Sequence, residues 1–140
     1  MKAMLDLKSS QRRIFIVGDG SLFDEGLAKM VRFSTTLLVS HIVFSNEDVL
    51  LNLIERKQPD MILLSESGGL DIEQILDSIT INTLIIGLCV FVVHLGNFKL
   101  DAYERPGTVA ERLPFQRRTI TIRAKNDLIN ILTRPHYEPR

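Results

Sequence analysis

The chain has 140 residues, of which 45% are hydrophobic and 24% are charged, and its formal net charge is zero. This length fits one domain with a full core, and the balanced charge gives no reason to expect nucleic acid or an anionic membrane surface as a partner. A single cysteine, Cys89, excludes an internal disulfide and is typical of the reducing cytoplasm. We therefore expect one cytoplasmic domain over residues 12–134, with a flexible arm at 1–11 and a tail at 135–140.

The first part of the chain alternates predicted strands and helices. Short apolar runs between turn signals predict strands, and apolar residues three and four positions apart predict helices. The strands are expected at 13–17, 39–44, 61–64 and 84–86, and the helices follow Ser21, follow Ser45 and cover 72–79. This βαβαβαβ order implies a parallel sheet with helices on both faces. The functional crevice of such a sheet lies outside the carboxyl ends of its strands, which is where Ser65 falls.

The pattern changes in the last third of the chain. Between Phe91 and Glu104, apolar and polar residues alternate loosely around Gly96-Asn97. This predicts a β-hairpin in the place where a fourth helix would be expected. A last strand is predicted at 119–122 and a last helix at 127–132.

One stretch of the chain needs a membrane test. No Asp, Glu, Lys or Arg occurs between Asp77 and Lys99, and a spanning helix needs about 20 mostly apolar residues. Polar residues interrupt the stretch, Gly87 divides it, and its many β-branched residues favour strands. We therefore expect buried strands here and no membrane span.

Three segments resemble response-regulator receiver domains. The sequence over 14–27, Ile-Phe-Ile-Val-Gly-Asp-Gly-Ser-Leu-Phe-Asp-Glu-Gly-Leu, resembles the opening of the subfamily whose first helix starts Leu-Phe-x-Glu-Gly-Leu. Residues 59–64, Pro-Asp-Met-Ile-Leu-Leu, are similar to the third strand of that family, and 123–132 to the start of its last helix. The resemblance implies an α/β, flavodoxin-like, doubly wound parallel sheet of five strands in the order 2-1-3-4-5, with the hairpin replacing the fourth helix.

The residues that carry chemistry in the receiver family are altered in this chain. In the family, two acids after the first strand hold Mg²⁺, and an aspartate at the end of the third strand accepts a phosphoryl group. Here the acid pair reads Gly18-Asp19 and the acceptor position is Ser65, while Arg123 aligns with the family's lysine. The resemblance therefore implies a degenerate pocket with no metal, no cofactor and no enzymatic activity. We predict a signalling module of the two-component type that acts by protein–protein contact.

Other interpretations of the same residues stay open. The turn Gly18-Asp19-Gly20 together with Ser65 could form the crevice of a small-ligand or nucleotide sensor. A response regulator that is still phosphorylated is a further alternative. His94 is expected to be a packed or hairpin-surface residue, and Cys89 a small core residue.

The region of the hairpin also predicts self-association. Residues 1–98 carry 8 basic and 12 acidic side chains, whereas residues 99–140 carry 9 and 5, so the two parts have charges of −4 and +4. A hairpin added at the end of the sheet would offer an unpaired edge, which tends to be covered by another chain. We therefore predict a homodimer. Its predicted interaction face consists of Phe91, Val93, Phe98, Leu100, Arg117 and Arg118.

Overall fold

The computed structural model describes residues 12–34, 36–66, 70–82, 88–94, 99–104, 116–123 and 125–133. Within these ranges the chain forms six strands and four helices. The strands are β1 (Arg12–Gly18), β2 (Leu37–Val43), β3 (Met61–Glu66), β4 (Cys89–His94), β5 (Lys99–Glu104) and β6 (Gln116–Thr121). The helices are α1 (Leu22–Arg32), α2 (Glu47–Lys57), α3 (Ile72–Asn82) and α4 (Lys125–Thr133).

All six strands form one sheet in the order β2-β1-β3-β4-β5-β6. The first four strands are parallel to one another, β5 is antiparallel to β4, and β6 is antiparallel to β5. The order 2-1-3 predicted for the first three strands is confirmed, but the fourth place is taken by β4 and not by the segment predicted at 84–86, and the predicted five-stranded parallel sheet is wrong. The described sheet has six strands, and the fifth runs in the opposite direction.

The predicted hairpin is confirmed, but its place in the sheet differs from the prediction. Its first arm is β4 itself, the fourth strand of the sheet, and its second arm is β5, with Phe91 opposite Ala102. The strand predicted at 84–86 lies outside the described residues. The hairpin extends the sheet directly because an antiparallel neighbour needs only a short connection, whereas a parallel one needs a long crossover.

Side chains alternate between the two faces of the sheet, and each face is covered by two helices. Strands β1, β3 and β4 are apolar on both faces, as expected for strands buried between two layers. On one face the apolar side chains pack against α1 and α4, and on the other they pack against α2 and α3. The two buried clusters are centred on Ile16, Leu63 and Phe91 for the first face, and on Val17, Leu64 and Val92 for the second.

The helix starts follow local hydrogen-bonding chemistry. Helix α2 begins after Asn46, whose side-chain oxygen accepts a hydrogen bond of 2.9 Å from the backbone N–H of Val49. The predicted cap, Ser45, is therefore wrong by one residue, because the amide oxygen of asparagine serves this role as well as a hydroxyl.

In the described part of the chain no helix is long and apolar enough to cross a membrane.

The apolar part of the predicted interaction face lies in the core. Phe91, Val93 and Leu100 are 2%, 6% and 0% exposed, because the strand alternation directs them toward α1 and α4. Strand β5 is paired on both sides, so the outer edges of the described sheet are β2 and β6. These three residues are therefore unavailable to a second copy, and that prediction is wrong for them. Phe98 lies outside the described residues.

Candidate functional site at the carboxyl end of the sheet

Gly18 ends strand β1 and lies directly under the side chain of Asp24. Asp24 belongs to the first turn of α1 and is fully buried. A Cβ atom on residue 18 would lie 2.6 Å from Asp24 Oδ2, which is closer than real Cβ atoms approach. The chain therefore needs glycine at this position because a carboxylate from the following helix already occupies the space.

Both carboxylate oxygens of Asp24 have partners. Ser21 Oγ donates a hydrogen bond of 2.7 Å to Oδ1, and His41 Nε2 lies 2.5 Å from Oδ2. Burial raises the pKa of Asp24, but the hydrogen bonds from Ser21 and His41 and the charge of the imidazole outweigh it, so the pKa is below its usual value. Because an ionised carboxylate can only accept, His41 Nε2 carries a proton.

The retained acid of the pair, Asp19, takes part in the turn between β1 and α1. Its Oδ1 accepts a hydrogen bond of 3.1 Å from the backbone N–H of Ser21. Gly18 offers no side-chain ligand, and the oxygens of Asp24 are engaged by Ser21 and His41. Among the described residues no three His, Cys, Asp or Glu side chains are grouped to hold a metal. Gly18 and Asp19 thus do not fit the two-acid Mg²⁺ site of the receiver family.

Ser65 lies near the carboxyl end of β3, on the face covered by α1 and α4. The residue is fully buried, and within the described part of the chain its Oγ has no hydrogen-bond partner. None of the described side chains forms a hydrogen bond through which it could remove the proton of this hydroxyl, and a nucleophilic serine needs such a base. The hydroxyl is therefore poorly suited to phosphoryl transfer, and its isolation costs roughly 1–3 kcal/mol.

This burial predicts that Ser65→Ala leaves the fold intact and raises its free energy of unfolding by about 1 kcal/mol. The substitution removes a buried hydroxyl that makes no hydrogen bond to any described residue and leaves an apolar methyl group in its place. Urea unfolding followed by circular dichroism measures the change. A loss of 1 kcal/mol or more on removing the hydroxyl would show that Ser65 Oγ has a partner in solution.

Arg123 follows β6 and is exposed. Its backbone N–H donates a hydrogen bond of 2.9 Å to Asp127 Oδ2 at the start of α4. Among the described residues, no hydrogen bond or ion pair joins its side chain to Ser65. The structure therefore places Gly18 and Asp19 at adjoining positions of one turn and Ser65 at the end of the neighbouring strand, but it does not connect Arg123 to them.

A second group of polar side chains crosses the other face of the sheet. His94, at the end of β4, lies between two carboxylates: Nδ1 is 2.6 Å from Glu66 Oε1, and Nε2 is 2.7 Å from Asp101 Oδ2. Thr119 Oγ1 of β6 donates a hydrogen bond of 2.6 Å to Asp101 Oδ1. We call Glu66, His94, Asp101 and Thr119 the His94 cluster. It joins the ends of β3 and β4 to β5 and β6.

The charges within the His94 cluster favour a protonated His94 ring and an ionised Asp101 carboxylate. Burial lowers the pKa of His94, but the hydrogen bonds to Asp101 and Glu66 and their negative charges outweigh it, so the pKa is raised. Burial likewise raises the pKa of Asp101, but hydrogen bonds from Thr119 and His94 and the charge of Arg117 bring it below its usual value. No local sequence pattern indicates this cluster, because only the strand register brings Glu66 opposite His94.

Comparison with known proteins supports the fold. No protein-family model and no curated protein matches the chain. Among solved structures, the chain is similar to the signal receiver domain of NarL from Mycobacterium tuberculosis, a protein described as a response regulator. The TM-score is 0.50 at 18% sequence identity, over 75% of this chain and 80% of that one. The chain therefore has a receiver-domain, flavodoxin-like fold.

Proposed function

We propose that this chain is a non-catalytic signalling module with a receiver fold, which acts by protein–protein contact and is not phosphorylated at the usual acceptor position. The observation that carries the proposal is the side chain at the end of β3. Ser65 is an alcohol and is fully buried, and no base among the described residues forms a hydrogen bond to it. The arrangement around Gly18 supports the same conclusion, because Asp24 fills the space of the missing acid with an oxygen pair that is already hydrogen-bonded.

Incubation with Mg²⁺ and acetyl phosphate, or with beryllofluoride, is expected to leave the mass and the melting temperature of the protein unchanged. The physical reason is that neither the nucleophilic carboxylate nor the complete metal site is present. Intact-mass spectrometry and thermal unfolding measure the two quantities. A receiver domain with an intact acceptor aspartate serves as the positive control. A stoichiometric gain of one phosphoryl group would refute the proposal.

A second candidate function, a small-ligand or nucleotide sensor, is favoured by one observation. Within the described residues Ser65 Oγ has no hydrogen-bond partner, and Ser65 directly follows Leu64, the register partner of Val17, which precedes the turn at Gly18-Asp19-Gly20. A bound ligand could supply the missing hydrogen bond. The thermal experiment above separates the two candidates when ATP and GTP are added as further arms, since a ligand of the folded state raises the melting temperature.

The partner surface is proposed to include the β6 edge. Arg117 and Arg118 are exposed on this strand, which pairs only with β5 among the described strands. An edge strand bearing basic side chains suits a partner with an acidic surface. A second copy of the chain is one such partner, since residues 1–98 carry an acidic excess of four charges. Homodimer formation stays a prediction. Arg117 and Arg118 on this edge are the exposed part of its predicted interaction face.

A further inference from the structure

The His94 cluster ties three neighbouring strands together with one ring. Glu66 and His94 are register partners on β3 and β4, and Asp101 lies on β5, next but one to the hairpin partner of His94. Both ring nitrogens are within 2.7 Å of a carboxylate oxygen. The ring thus lies at the place where the sheet changes from parallel to antiparallel pairing.

This arrangement requires a doubly protonated ring. An ionised carboxylate can only accept hydrogen bonds, and a neutral imidazole has only one N–H to donate. The imidazolium has two, so it alone satisfies Glu66 and Asp101 at the same time. Loss of one proton leaves a ring nitrogen lone pair facing a carboxylate oxygen, which is repulsive.

The two carboxylates differ in what it costs to break their hydrogen bonds to the His94 ring. The side chain of Asp101 is 8% exposed and is also held by Thr119, whereas that of Glu66 is 47% exposed. A buried carboxylate that loses its donor is costly, but an exposed one is solvated by water. The remaining N–H therefore stays with Asp101, and the bond to Glu66 is the one that breaks.

We propose that His94 is a proton-operated switch, which holds the end of β3 through Glu66 when the ring is charged and releases it when the ring is neutral. The release frees a negative charge at the carboxyl end of β3, on the face of the sheet opposite to the Ser65 side chain. The proposal concerns regulation and does not depend on the function proposed above.

The other charged groups near the ring do not replace either carboxylate. Lys99 lies opposite His94 in the hairpin register and is exposed, and Arg117 acts on Asp101 from β6. On the face covered by α2 and α3, Glu73 and Asp77 of α3 are exposed, and no hydrogen bond joins them to the ring among the described residues. The direction of the switch is therefore set by Glu66 and Asp101.

The pH dependence has a definite sign. The raised pKa of His94 means that the charged ring stabilises the fold fully below pH about 6.5, and that this contribution is lost as the pH rises through the folded-state pKa. The lowered pKa of Asp101 acts only in acid, where stability falls as the pH drops below about 4. His94 is therefore the group of this cluster whose loss of a proton lowers stability as the pH rises above about 6.5.

Glu66→Gln is the decisive variant. A glutamine amide accepts a hydrogen bond from a ring N–H and also donates one to a bare ring nitrogen, so it satisfies both protonation states. Because residue 66 is half exposed, we expect this variant to fold. His94→Gln serves as the second variant, and its lost resonance assigns the ring signal in the wild-type spectrum.

The experiment is an NMR titration of the full chain, followed at the His94 ring and at the residue 66 side chain, with melting temperatures measured at the same pH values. In the wild type we expect both signals to move with one midpoint, and the melting temperature to fall as the pH rises through it. In Glu66→Gln we expect the ring midpoint to shift to lower pH and the fall in melting temperature to be smaller than in the wild type, because only the contribution of Asp101 remains. A wild-type ring that titrates while the Glu66 side chain stays fixed would overturn the proposal. Equal pH profiles of melting temperature in the wild type and in His94→Gln would overturn it as well.

Discussion

Gly18→Ala is expected to lower the free energy of unfolding by about 2–4 kcal/mol, and Gly18→Asp by more. The added Cβ would lie 2.6 Å from Asp24 Oδ2, so the buried carboxylate has to move. That movement breaks the hydrogen bonds from Ser21 and His41. Aspartate at residue 18 also brings a second negative charge beside a buried one, and such a like-charge contact costs several kcal/mol. Urea unfolding measures both variants.

Gly26→Ala is the matched control for the steric part of this prediction. Gly26 lies in α1, and a Cβ atom there meets nothing within 4 Å. The same change is therefore expected to stabilise the helix by up to about 1 kcal/mol. In the double variant Gly18→Asp, Asp24→Ala the loss is expected to be smaller than the sum of the two single losses. Wild-type stability of Gly18→Asp would contradict this account of the turn.

Leu100→Ala is expected to lower the free energy of unfolding by about 2–5 kcal/mol. Leu100 is fully buried against α1 and α4, so the smaller side chain leaves a cavity in the core. Leu38→Ala is the matched control, since it makes the same change on β2 at a leucine that is 47% exposed. There we expect a loss within about 0.5 kcal/mol. Equal, small effects at both positions would mean that Leu100 lies on the surface, as the predicted interaction face had required.

The parts of the fold that could be predicted are those that depend on patterns in consecutive residues. The apolar run at 61–64 predicts a buried strand, and the alternation around Gly96-Asn97 predicts a hairpin, because each pattern contains its own turn signal. Which arm of that hairpin joins β3 depends on pairing between distant segments. No local pattern predicts that pairing. The segment 84–86 was therefore expected to be the strand next to β3, which is the place that β4 occupies.

The candidate site likewise has one part that could be predicted from the sequence and another that could not. Gly18 and Ser65 could be identified as altered positions from the sequence, because a resemblance compares residues one by one. The reason why residue 18 has to be glycine could not be predicted, because it is a contact with Asp24 in the first turn of α1. The bond between His41 and Asp24 and the bridge from Glu66 through His94 to Asp101 depend on side chains from separate strands. Such contacts exist only once the register is known.

The reversed direction of β5 has a consequence for the way this sheet assembles. His94 and Lys99 are register partners five positions apart in sequence, whereas Ile14 and Met61 of the parallel part are 61 − 14 = 47 positions apart. The entropy lost on closing a loop grows with its length, and chains rich in local contacts fold faster. The β4–β5 pair therefore costs less chain entropy to form than the β1–β3 pair, and it offers the shorter route to a folding nucleus.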